Sequence, residues 1–228
     1  MVSIEDRAGA LFIGMRHVLP PGRAFDAPPS ASLQTSNRQS LPDKLHDANL
    51  AGSNNRLECT LILTEGDSAA AFAVRGLEVI GREFYGVLPL RGKIVNPRTK
   101  GARTRQDCTD PDLLAFMSSM GLCHETRDRS SLRYGQVIIM SDSDLDGYHI
   151  RGLIINYIHF FWPWLMANFL KIFVTPCVMA IKGAQTASFY HLQEYRIWRS
   201  THHSDLGWDI RYIKGLASLT TTDANDCS

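Results

Sequence analysis

Residues 136–171 constrain the fold most strongly. QVIIM, an unbroken apolar run, passes directly into SDSDLDG, and between Arg151 and Lys171 the chain then carries no Asp, Glu, Lys or Arg. An uncharged stretch of that length is either a membrane span or a helix buried in a protein core. Asn156, His159, Pro163 and Asn168 lie inside it. Polar side chains are costly in hydrocarbon without partners, and proline removes a backbone donor. A buried core helix broken near Pro163 is therefore expected, with no membrane partner.

Such a helix needs other elements to cover it. CTLILT (59–64) is a β-branched, apolar strand; EGDSA follows, then a helical stretch from Ala69 to about Val79 closed by Gly81. EFYGVLPL is a second strand, followed by a basic loop and a helix around 111–121 ending at Gly121. QVIIM is a third strand, leading to a long helix from about Tyr148, and KIFVTP is a fourth. Strands that alternate with helices, and that are apolar throughout instead of at every second position, predict an α/β fold with a mostly parallel sheet covered on both faces. The tail segments SFYHL, QEYRIWRS and WDIRYIKG read as strand, helix, strand, a small α+β extension. Residues 20–43, rich in Pro, Ser, Asn and Gln, have the composition of a linker or disordered arm.

Charge and cysteine usage narrow the setting. Lys plus Arg number 24 against 23 Asp plus Glu, so any nucleic-acid contact has to come from a local patch. The five cysteines (Cys59, Cys108, Cys123, Cys177, Cys227) are odd in number and form no CxxC pair, which points to a reducing compartment. GALFIGM, flanked by Glu5, Asp6, Arg7 and Arg16, is too short for a signal peptide, so an intracellular protein is expected.

Asp142, Asp144 and Asp146 are the sharpest candidate site. At alternate positions on extended chain, three carboxylates project to one side at the end of a strand. Ligands bind at that edge of an open parallel sheet, and Glu65 and Asp67 follow another strand there. Gathered carboxylates repel unless a cation lies among them, and hard oxygen donors select magnesium or a similar ion. Three other readings compete. A solvated acidic loop leaves the buried strand before it unused. An EF-hand requires Glu at the twelfth loop position, which is Leu153 here. A phosphatase DxDx(T/V) motif meets Leu145 at its fourth position and leaves EGDSA unexplained.

EGDSA after an apolar strand, PLRGK, and IIMSDSDLDGYHIRGL, in that order, together resemble the TOPRIM domain of type IIA DNA topoisomerases. ECTLILTEGDSA, YGVLPLRGKIVN, RYGQVIIM and INYIHFFWPWL resemble the eukaryotic and viral enzymes more than bacterial gyrase. KLHDANLAG upstream and FVTPCV, SFYHL and RYIKGL downstream extend the similarity over about residues 43–222. The family's KGLG is KGLA here, with Ala217 in the last position.

This resemblance implies a Rossmann-like TOPRIM sheet and a division into an arm (1–42), a metal-binding domain (43–183) and an extension (184–228) leading towards a winged-helix domain. It implies Glu65 as general acid/base and metal ligand, with Asp142, Asp144 and Asp146 completing a magnesium site that manganese can also fill. Arg91, Lys93, His149 and Lys214 are the implied DNA contacts, His149 having a local cap as its alternative. The loop 91–105 adds Arg98, Lys100, Arg103 and Arg105 without an acid, a phosphate-tracking patch or else a solvated loop.

In such an enzyme a tyrosine attacks double-stranded DNA, the 3′ hydroxyl leaves, and ATP drives the complete homodimer. The seven tyrosines (Tyr85, Tyr134, Tyr148, Tyr157, Tyr190, Tyr195, Tyr212) fall within or beside TOPRIM-like segments, and no ATP-binding signature accompanies them. The chain is thus expected to be one part of a larger enzyme, inactive alone, acting in the nucleus if eukaryotic. The alternative is a non-catalytic metal- and DNA-binding module; a primase-type enzyme is disfavoured because zinc-ribbon cysteines are lacking.

Overall fold

The structure, a computed structural model, describes residues 41–98, 110–142, 144–202 and 207–213, without the side chains of 78–80. Four parallel strands form its main sheet: β1 (Thr60–Glu65), β2 (Tyr85–Leu90), β3 (Gln136–Met140) and β4 (Leu170–Phe173), in the order β2-β1-β3-β4. Helix α1 (Gly66–Ile80) connects β1 to β2, α2 (Pro111–Met120) lies between β2 and β3, and α3 (Leu145–Phe161) follows β3.

Strand alternation divides the apolar residues between two cores. Leu61, Leu63, Leu88, Leu90, Val137 and Ile139 pack with residues of α2 and α3, among them Phe116, Met120, Ile154, Tyr157 and Ile158. Ile62, Val87, Ile138 and Met140 point the other way, onto Ala69, Ala70, Ala73 and Leu77 of α1. Both faces are covered, which is why the centres of β1, β2 and β3 are continuously apolar instead of alternating.

The boundaries of α2 and the start of α3 have local causes. Asp110 caps α2 by accepting from the amides of Asp112 (2.9 Å) and Leu113 (3.3 Å), with Pro111 at the first position and Gly121 left-handed (φ 73°) at the other end. Asp144 caps α3 by accepting from the Gly147 amide at 2.8 Å. That cap starts α3 at Leu145, three residues earlier than expected, and corrects the picture of a three-carboxylate comb on extended chain. Asp142 lies in the strand-to-helix turn, Asp144 is the cap, and Asp146 stands in the helix's first turn.

The uncharged stretch breaks as expected. α3 stops at Phe161, a 3-10 turn covers Pro163–Leu165, and Ile150, Ile154, Tyr157, Ile158, Trp162 and Leu165 are buried. The Trp162 indole donates to the Cys123 carbonyl at 2.9 Å. Among the described residues, no helix is long and apolar enough to cross a membrane.

Upstream of β1, the KLHDANLAG segment is joined to the sheet: His46 and Val87 exchange both backbone hydrogen bonds, and the Ala48 amide donates to the Tyr134 hydroxyl at 3.0 Å. Downstream, an antiparallel sheet in the order β6-β5-β7 comprises β5 (Val178–Lys182), β6 (Gln185–Phe189) and β7 (Asp209–Tyr212), with α4 (Leu192–Thr201) between the last two. The strand–helix–strand reading of the tail holds for β6, α4 and β7, while β5 was not foreseen. Residues 1–40, the basic loop beyond Arg98 and everything after Ile213 lie outside the described residues.

Candidate functional site at the carboxyl edge of the sheet

α1 lies on one face of the sheet and α2 and α3 on the other, so the chain changes direction between the neighbouring strands β1 and β3. A crevice at the carboxyl ends of two such strands is the usual ligand position in open α/β sheets. Glu65 ends β1 and Asp142 follows β3 by two residues; the register pairs Thr64 with Met140 and Glu65 with Leu90. The Asp142 amide donates to Glu65 Oε2 at 3.3 Å.

Burial raises the Glu65 pKa above the ordinary glutamate value, and the charges of Asp142, Asp144 and Asp146 raise it further, against the lowering effect of the Asp142 amide. The three aspartates therefore all act electrostatically on Glu65. The other two aspartates have local commitments as well. Asp144 holds the Gly147 amide, and Asp146 lies 2.8 Å from the Lys93 ammonium. Lys93, by hydrogen bond and charge, together with His149, holds the exposed Asp146 carboxyl below its ordinary pKa. Among the described residues no three Asp, Glu, His or Cys side chains already converge as a metal cage. The donor set is nonetheless all carboxylate, with negative charge enough to disfavour Glu65 ionisation, and both properties suit a hard divalent cation.

The basic candidates separate. Lys93 and His149 stand beside Asp146, both exposed. Arg91 is exposed, and its backbone amide donates to Asp112 at 2.6 Å, fixing the turn after β2. Arg98 is engaged elsewhere: Nε donates to Asn156 Oδ1 at 2.6 Å, a second nitrogen donates to His159 Nδ1 at 3.1 Å, and the guanidinium lies 5.5 Å from the Phe160 ring centre. Because a guanidinium only donates, His159 Nδ1 is the acceptor of this bond. The loop is thus pinned to α3 as far as Arg98. Lys100, Arg103, Arg105 and Lys214 lie outside the described residues.

Arg151 was missed as a site residue. It is 5% exposed, donates through Nε to Ser141 Oγ at 2.7 Å and through Nη2 to the Asp142 carbonyl at 2.7 Å, and lies 4.6 Å from the Tyr148 ring centre. Burial lowers its pKa, while Tyr148, Glu65, Asp144 and Asp142 oppose that shift. The available signal was a basic residue heading a run that is otherwise uncharged for a further nineteen positions.

The chain is similar to known proteins over most of its length. Residues 60–176 match the Toprim domain family, and residues 173–227 match the C-terminal associated domain of TOPRIM. The chain is 45% identical to DNA topoisomerase 2 of Caenorhabditis elegans over 199 residues, 85% of this chain and 13% of that protein. It is 47% identical to DNA topoisomerase 2-alpha of Rattus norvegicus over 189 residues, 80% of this chain and 12% of that protein. The crystal structure of the DNA-binding, cleavage and re-ligation domain of Plasmodium falciparum topoisomerase II superposes with a TM-score of 0.73 at 44% identity, covering 83% of this chain and 26% of that one. The chain thus spans about an eighth of the length of the curated relatives it matches.

Proposed function

We propose, since this chain belongs to the Toprim domain family and to its type IIA DNA topoisomerase branch, that its acidic edge is the cation-binding and proton-transfer half of a DNA cleavage and religation site. The observation that carries the proposal is Glu65 at the end of β1, held against the Asp142 amide with its pKa raised by burial and by three aspartates. A carboxyl group so placed is suited to give a proton to a leaving 3′ oxygen and to take it back on religation.

Glu65 and Asp142, with Asp144 and Asp146, are the residues that would hold magnesium or manganese, which when bound supplies charge stabilisation at the attacked phosphate. Lys93 and Arg91, after β2, are the residues that would meet a DNA phosphate, with His149 on α3 and Lys214 as further candidates. In this reading the metal-binding domain is residues 43–183, with residues 184–228 as an extension. The partners of the whole enzyme are double-stranded DNA, a winged-helix domain carrying the nucleophilic tyrosine, an ATPase domain and a second copy, acting inside the nucleus.

Thermal unfolding tests the cation site. Millimolar magnesium or manganese is expected to raise the melting temperature relative to EDTA, and Asp144→Asn to weaken that response. Asparagine caps a helix as well as aspartate does, so this substitution removes the charge and leaves the cap. Identical melting with metal and with EDTA would overturn the reading.

A further inference from the structure

We infer that Arg151 is a positioning residue of the acidic edge: its buried guanidinium clamps the Ser141–Asp142 corner and so sets where the Asp142 and Asp144 carboxylates stand. The inference rests on the proposed cation site and concerns how that site is held.

Ser141, Asp142 and Gly147 come together in a turn without slack. The Ser141 hydroxyl donates to the Gly147 carbonyl at 3.2 Å, and a Cβ on Gly147 would lie 2.1 Å from the Asp142 carbonyl oxygen. Arg151, one helical turn beyond Gly147, reaches back under this corner and takes Ser141 Oγ and the Asp142 carbonyl with two nitrogens, both at 2.7 Å. The carbonyl it grips belongs to one candidate ligand, and Ser141 ties the corner to Gly147, whose amide holds Asp144, so movement there would shift both carboxylates. A neutral side chain could serve the same two acceptors without the cost of burying a charge. The charge becomes intelligible from the acids beyond it, since Glu65, Asp144 and Asp142 all favour the ionised guanidinium. Lysine keeps the charge but not the planar fork that spans two acceptors.

The sign of the effect on cation affinity separates positioning from charge balance. A guanidinium beneath the acids repels an incoming cation, so a mere counter-charge, once removed, leaves manganese bound more tightly. A clamp, once removed, leaves it bound more weakly.

The full chain and its Arg151→Gln and Arg151→Lys variants are titrated with manganese, and backbone amide exchange is measured without metal. Both variants are expected to bind manganese about tenfold more weakly, the low end for loss of a ligand-orienting partner. Their Asp142 and Gly147 amides, both hydrogen-bonded at this corner, should exchange about tenfold faster while those of β1 stay protected, a local opening. Tighter manganese binding by Arg151→Gln, or unchanged exchange at the Asp142 and Gly147 amides, overturns the inference; so does loss of protection throughout β1 in Arg151→Lys, the variant that decides if Arg151→Gln does not fold. If the unaltered chain binds no manganese, the cation-site reading fails, and the exchange result still decides whether Arg151 holds the corner.

Discussion

Lys93 extends from the turn after β2 to set its ammonium 2.8 Å from an Asp146 oxygen in the first turn of α3. One of the proposed DNA-contacting cations is thereby paired with one of the proposed metal acids, so phosphate and metal compete with the same exposed ion pair. Both partners are exposed and solvent screens their attraction, so they can separate at little cost.

Replacing Lys93 by Ala is expected to change stability by less than about 0.5 kcal/mol, as for an ordinary surface substitution. It should tighten manganese binding and reduce the salt slope of duplex DNA binding by about 1, the mark of one lost phosphate contact. Arg98→Ala should leave that slope unchanged, because its guanidinium is engaged with Asn156, His159 and Phe160. DNA titrations at several salt concentrations measure both; an equal loss of slope in the two variants would return Arg98 to the phosphate-binding set.

Glu65 makes a pH prediction of definite sign. Its folded-state pKa is raised above 4.5, so the folded protein holds this proton at pH values where the unfolded chain has released it. The ionised group therefore destabilises the metal-free fold at neutral pH, and the penalty fades as pH falls through the raised pKa towards 4.5. Glu65→Gln should raise the metal-free melting temperature at pH 7.5 by about 2 °C, a small gain because partial exposure screens the charge. That gain should vanish near pH 4.5, and added magnesium should erase it by stabilising only the unaltered chain. A variant less stable at pH 7.5 contradicts the sign.

The parallel sheet was legible because burial on both faces demands continuous apolar strands, and CTLILT, GVLPL and QVIIM meet that demand. The break at Pro163 followed from the missing amide donor. The early start of α3 was obscured because aspartate serves both as metal ligand and as helix cap, and spacing alone does not say which role Asp144 takes. β5 was overlooked, although CVMAI is at least as long an apolar run as that of QVIIM, because it directly follows KIFVTP. Arg151 escaped notice because its role depends on the β3–α3 turn folding back over Gly147, a relation between backbone atoms that no residue pattern announces.

Gly147 carries that turn. A methyl group there meets the Asp142 carbonyl oxygen at 2.1 Å, and backbone cannot yield as a flexible side chain would. Gly147→Ala should therefore cost about 1–3 kcal/mol, the range for overpacking a filled site, and weaken the metal-induced rise in melting temperature. Gly152→Ala, in the same helix with nothing within 4 Å of its Cβ, is the control and should be neutral or slightly stabilising. Denaturant unfolding of the two variants checks the contrast, which disappears if the β3–α3 turn relaxes freely.

This chain alone is expected neither to relax nor to cleave supercoiled DNA, with magnesium and ATP present. Phosphoryl transfer needs a positioned nucleophile as well as a stabilised charge, and the tyrosines here have other placements. Tyr134 is buried, and burial with the Asp47 carboxylate pushes its phenol far above the ordinary range. Tyr157 and Tyr195 are buried, and Tyr190 and Tyr212 lie in the antiparallel unit. Tyr85 begins β2, at the end of the sheet opposite the acids. Tyr148 is exposed and near the acids, but its ring covers the Arg151 guanidinium. A winged-helix fragment of a related topoisomerase, supplied in trans, should therefore determine whether protein becomes covalently attached to DNA, and Glu65→Ala should abolish attachment or religation. Tyr148→Phe is the decisive companion. If the chain forms a DNA adduct unaided and that substitution abolishes it, the acidic edge has its own nucleophile and is not half of a divided site.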